Sequence, residues 1–238
     1  MVRSVSALVV LGVAFFAGTP ARARTVILHA VRDNTLYVSG SGQLSNGAGR
    51  DMFVGLTGRF GMRRALVAFD LTDSIPANVF VDSVQLVLRL NKTVTPPSAI
   101  GLHRVQRAWG EGTSIGSGGG GLATAGDATW LHTSFPSSFW DTPGGDFLPQ
   151  PSATHTVDNV GFHTWESGGE LVADVQYWLQ HPDANFGWLL LGNESTASAK
   201  RFDTHEATDP AVRPQLVVHF TPTPVTPIAW GGIKSLYR

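Results

Sequence analysis

The 238-residue chain carries 17 Lys and Arg against 18 Asp and Glu, a formal net charge of −1, with 42% hydrophobic residues, 10% aromatic residues and no cysteine. The absence of cysteine excludes disulfides, thiolate metal sites and thiol catalysis. The balanced charge, with no basic run, argues against a nucleic-acid partner, which needs a basic face to displace phosphate counterions.

At the start of the chain, Arg3 precedes an apolar run over residues 5–18, and Ala21-Arg22-Ala23 fits a small-x-small cleavage site. The run falls short of the roughly 20 apolar residues that cross a bilayer, so residues 1–23 read as a signal peptide and Arg24 as the first mature residue. No later stretch approaches that length, so no membrane span is expected in the mature chain.

Gly and Pro punctuate the rest, separating short apolar stretches in the manner of an all-β sandwich. Residues 63–71 have a dense β-prone centre. In residues 79–90, Val84, Leu86, Leu88 and Leu90 alternate against Ser83, Gln85 and Arg89, which places one face in a core. Strands are also expected over 100–107, 186–192, 200–204 and 215–220. One segment has helical spacing: residues 170–180 put Leu171, Val172, Val175, Trp178 and Leu179 on one face and end before Pro182. Residues 110–126 and 133–156 read as long loops. A Pro/Thr-rich linker at 221–229 leads to an aromatic-basic tail at 230–238, and the sandwich domain is assigned to 24–220.

The catalytic motifs are weak. Gly112-Thr113-Ser114-Ile115-Gly116 has the spacing of a nucleophile elbow, but glycines follow it where a helix is required. Glu111, Asp127, Asp141 and Glu166 supply carboxylates, yet glycoside hydrolysis needs a separation of roughly 5–10 Å that sequence does not give. None of the eight histidines stands in a zinc-protease arrangement. Oxygen-rich segments suit a structural calcium ion better, with Asp33, Asn34, Asp203 and Glu206 as the candidate set, although such residues commonly form Asx turns instead.

The seven tryptophans divide into two groups. Trp178 and Trp188 sit in periodic apolar runs and are expected in the core. Trp130, Trp140 and Trp165 lie in or beside the loops, where indole faces can stack on sugar rings while His132, Asp141 and Glu111 orient the hydroxyls. The alternative is that these indoles pin the loops to the sandwich.

Several ordered motifs resemble the bacterial extracellular DNRLRE domain family: Arg63-Arg64-Ala65-Leu66 through Phe69-Asp70-Leu71, Ile75-Pro76, Trp109-Gly110-Glu111-Gly112-Thr113, Ala128-Thr129-Trp130 and Arg213-Pro214-Gln215-Leu216. The resemblance runs over about residues 33–220. It implies a jelly-roll-like antiparallel β-sandwich in a secreted or cell-surface bacterial protein, extracellular or periplasmic, with relatives classed as carbohydrate-binding modules. The expectation is therefore a non-catalytic module that binds an extracellular polysaccharide or cell-surface glycan. A structural or adhesive surface protein without a sugar ligand is the first alternative, and a polysaccharide lyase or hydrolase the second.

Overall fold

In the computed structural model, which describes residues 22–59 and 61–223, the alternating stretch beginning at Val79 becomes the longest strand. Fourteen strands follow one another as β1 (Arg24–Tyr37), β2 (Leu44–Ser45), β3 (Asp51–Leu56), β4 (Met62–Phe69), β5 (Val79–Thr93), β6 (Ser98–Arg104) and β7 (Gly121–Leu122), then β8 (His132–Ser134), β9 (Ser138–Phe139), β10 (Ala153–Val157), β11 (Gly161–Trp165), β12 (Trp188–Leu191), β13 (Lys200–Asp203) and β14 (Gln215–Pro222). Between β11 and β12 lies α1 (Gly169–Gln180), the one α-helix among the described residues. The expected signal peptide, apart from residues 22–23, and the tail lie outside the described residues. The expected linker does not begin at Thr221, because β14 continues through Pro222, which stands opposite Val79 in β5.

The all-β antiparallel architecture expected from the sequence is the one adopted. Ten strands join in the order β1-β14-β5-β13-β3-β4-β12-β6-β10, with β11 added to β5. The first half of β1 pairs with β14, from Arg24 opposite Phe220 to His29 opposite Gln215. Its second half pairs with β4, from Ala30 opposite Phe69 to Tyr37 opposite Arg63. A register shift between Ala30 and Arg32 marks the crossing, so the sheet closes on itself into a barrel-like pair of layers. One layer centres on β14, β5, β13 and β3, the other on β4, β12, β6 and β10.

The main core fills the space between these layers. Leu86, Leu88 and Leu90 of β5 meet Leu216 and Val218 of β14, with Trp165, Trp188 and Phe202 among the largest buried side chains. α1 packs Leu171, Val175, Trp178 and Leu179 against this core, and Trp178 meets Trp188 edge to face at 4.6 Å. The same helix face buries Asp174. Its Oδ2 accepts from the Trp188 indole at 2.8 Å and from the Ser152 hydroxyl, and its Oδ1 pairs with Arg104 at 3.3 Å.

A second core lies on the opposite face of the β4 layer. Leu36, Leu66, Ala68 and Leu189 point away from the main core and are covered by Trp109, Trp130 and Trp140 from the long segment that follows β6. That segment forms a third layer over one sheet. Among the described residues, no such layer covers the outer face of the β5 layer, and there Arg89, Asn91, Arg201 and Phe53 keep part of their surface accessible.

Candidate functional site

The loop tryptophans require a correction. Trp130, Trp140 and Trp165 are only 8%, 5% and 0% exposed, so none offers a free ring face for a sugar. Trp165 belongs to β11 and the main core, where its indole N–H donates to the Ile100 carbonyl at 2.8 Å. The Trp140 indole donates to the Thr129 carbonyl at 2.9 Å, and Trp130 lies under the Arg64 guanidinium at 4.7 Å. The bolting role wins because the face of β4 and β12 beneath Trp130 and Trp140 is apolar and these rings bury it.

Their expected polar neighbours separate as well. His132 is buried between Phe135 and Phe139, with Nδ1 on the Thr129 hydroxyl at 2.9 Å. Asp141 is exposed and ion-paired to Arg107 on the rim of a cleft of about 620 Å³. Glu111 reaches across to β1 instead. Ser114, the centre of the elbow-like motif, is 2% exposed in an irregular segment, where its hydroxyl accepts from the Gly47 N–H at 3.1 Å.

The four residues expected to hold calcium are not brought together. The Asn34 side chain is a buried hub: Oδ1 accepts from the Thr35 and Asn46 N–H groups and the Ser45 hydroxyl, and Nδ2 donates to the Glu111 carbonyl at 2.8 Å. With its acceptor and donor both used, it belongs to the loop scaffold. Asp203 faces outward and pairs with Arg89 at 2.9 Å. Asp33 and Glu206 do converge, joined by His205, with one ligand-type atom from each lying within 4.8 Å of the others.

This carboxylate–imidazole cluster is assembled from three distant segments. Asp33 is fixed in β1 opposite Val67 and is fully buried. Its Oδ2 accepts the His205 backbone N–H at 2.7 Å, and its own N–H donates to Glu111 Oε1 at 2.7 Å. His205 and Glu206 sit in the turn after β13, anchored by the Thr204 hydroxyl on the Gly49 carbonyl at 2.8 Å. His205 Nε2 lies 2.7 Å from Glu111 Oε1 and 2.7 Å from Glu206 Oε1. These two carboxylates hold the imidazolium up to about 10, while burial and the Glu206 charge push the Asp33 carboxyl well above the usual carboxylate range. No local pattern in the sequence singles out His205, which stands 172 positions from Asp33.

A different site occupies the outer face of the β5 layer. Two adjoining clefts of about 270 and 500 Å³ share Asp51 and Arg201 and run over β3, β13 and the end of β5. Four accessible basic side chains (Arg50, Arg89, Lys92 and Arg201) line them against three acidic ones, Asp51, Asp203 and Asp209, while Arg63 and Lys200 border the first cleft from buried positions. Asp51 and Asp203 stand directly opposite each other across the β3–β13 pair, a like-charge pairing that needs compensation. Asn91 Nδ2 donates to both carboxylates at 2.7 Å, Arg89 pairs with Asp203, and Arg201 pairs with Asp51 at 3.4 Å.

Among the described residues, Arg50, Arg63, Lys92 and Lys200 have no acidic partner at ion-pair distance. The Lys200 ammonium donates to the Thr95 hydroxyl and the Pro96 carbonyl, both at 2.8 Å, and burial lowers its pKa. The Arg63 guanidinium donates to the Gly118 carbonyl at 3.1 Å and stacks 4.7 Å over Tyr37. Phe53 lines the same cleft with part of its surface accessible, and Val94 on the rim is 86% exposed. The face thus combines a partly accessible ring, forked donors and carboxylate acceptors, the mixture that fixes a polyhydroxylated ligand.

Comparison with known family models and with curated proteins finds no match to this chain. No helix among the described residues is long and apolar enough to cross a membrane.

Proposed function

We propose that the chain is an exported, non-catalytic β-sandwich module that binds an extracellular polysaccharide along the outer face of the β5 layer, and that the polysaccharide carries carboxylates or sulfates. The observation that carries this reading is the pair of adjoining clefts sharing Asp51 and Arg201, with four accessible basic side chains, Arg50, Arg89, Lys92 and Arg201, against three acidic ones. Extended grooves on a rigid sheet suit a chain ligand, because successive sugars meet successive strands without reorganisation of loops. The DNRLRE resemblance and the signal-peptide pattern of residues 1–23 support the same reading. The proposed contacts move from the loop indoles to Phe53, Asn91, Lys92 and Arg201.

Isothermal titration of the full chain against acidic and neutral polysaccharides tests this. Binding should be confined to, or strongest for, the acidic set, and Arg201→Ala should weaken it by about tenfold, the equivalent of ~1.4 kcal/mol for one charge-assisted contact. Raising the salt concentration should weaken it further. Binding to no member of the panel, or binding unchanged in both Arg201→Ala and Lys92→Ala, contradicts the proposal. Release of shortened or unsaturated sugars during the titration would favour a hydrolase or lyase instead.

A further inference from the structure

The cluster at Asp33 has more acceptors than its protons can satisfy. His205 Nε2 can carry one hydrogen, yet two carboxylate oxygens, Glu111 Oε1 and Glu206 Oε1, lie 2.7 Å from it. Asp33 Oδ1 and Glu206 Oε2 are buried with no hydrogen-bond donor. An unpaired buried carboxylate oxygen costs several kcal/mol unless it is neutralised or coordinated. The Arg32 guanidinium is engaged elsewhere, donating to the Trp109 carbonyl at 3.0 Å and lying 4.6 Å over the Trp109 ring. Three carboxylates therefore gather about one imidazole, with His205, Glu111 and Glu206 side chains 24%, 25% and 21% exposed.

We infer that Asp33, His205 and Glu206 form a divalent-metal site of the zinc class, with Glu111 beside it at the imidazole. The donor set decides the class. Calcium takes six to eight oxygen ligands and has little use for an imidazole, whereas zinc accepts a histidine nitrogen with carboxylate oxygens at four-coordinate reach. A metal ion at the position between Nε2 and the carboxylates replaces the shared proton and supplies the buried oxygens with a partner. It ties β1 to the turn after β13, two elements that sequence separates widely. The site shares no residue with the clefts proposed for polysaccharide and does not depend on them.

Metal binding is measured on the full chain after chelator treatment, with ZnCl2 and CaCl2 titrated separately and no polysaccharide present. One zinc equivalent per chain should bind and raise the thermal midpoint. His205→Gln and Glu206→Gln, both at partly exposed positions, should remain folded and lose more affinity than the roughly ten- to hundredfold that removal of a ligand's supporting hydrogen bond costs. Uptake of no zinc, zinc uptake equal in both variants and the parent chain, or stoichiometric uptake of calcium alone would overturn the assignment.

Discussion

Trp140 shows how a residue's role is decided by what lies beneath it. Its ring covers the apolar face formed by Leu36, Leu66 and Leu189, and its N–H is used by the Thr129 carbonyl. Trp140→Ala should therefore cost about 3–5 kcal/mol in denaturant unfolding, the range for emptying a buried indole site. A fully stable Trp140→Ala chain would mean that the ring faces solvent. In sequence this position is indistinguishable from a stacking platform, because a tryptophan in a glycine- and proline-rich loop has the same composition in either role. A second residue-scale expectation concerns His103, which is 6% exposed beside Phe147 with Nδ1 on the Leu148 carbonyl at 2.9 Å. Burial, opposed by that carbonyl and aided by the Arg64 charge, lowers its pKa below the ordinary 6.5. A depressed pKa contributes stability above the unfolded value that is lost as pH falls through the folded one, so unfolding free energy should drop on acidification below about pH 6.5. His103→Gln should flatten that limb in urea titrations, and an unchanged acid slope would count against it.

At the scale of elements, the segments with an unbroken apolar run or a clean apolar period were legible. The 79–90 alternation, the 63–71 stretch and the helix at 170–180 appear within a few residues of their positions as β5, β4 and α1. β1 was not legible, although it is 14 residues long. It changes sheets at the shift near Ala30, which breaks the alternation, and its last five residues are buried on both faces. β10 and β11 were hidden in and beside a segment read as loop, because prolines and glycines precede them. The candidate metal cluster had no local signature at all, since each segment contributes one or two ordinary polar residues and only the closure of the sheet brings them together. The turn before β12 offers a test of the closure. Gly187 has φ near 74°, and a Cβ there would meet the Val67 carbonyl oxygen at 2.1 Å. Gly187→Ala should destabilise the chain by at least about 2 kcal/mol, from backbone strain and from displacement of β4. A substitution without effect on the thermal midpoint would contradict the close approach of these two segments.

For the whole molecule, asymmetry between the two sheets is the central feature. One sheet is buried on both faces, by the main core and by the tryptophan-bolted layer. The other presents a charged outer face crossed by the two clefts around Arg201. A covered sheet on one side and an open polar surface on the other suit a binding module, and on that surface Arg50 and Lys92 stand beyond the Arg89–Asp203 and Arg201–Asp51 pairs. Chemical-shift mapping of the full chain during titration with an acidic oligosaccharide tests the account most directly. Perturbations should cluster on Phe53, Asn91, Lys92 and Arg201, leaving the indoles of Trp130 and Trp140 unmoved. Perturbations centred on those indoles, or none with any acidic oligosaccharide of the panel, would contradict it.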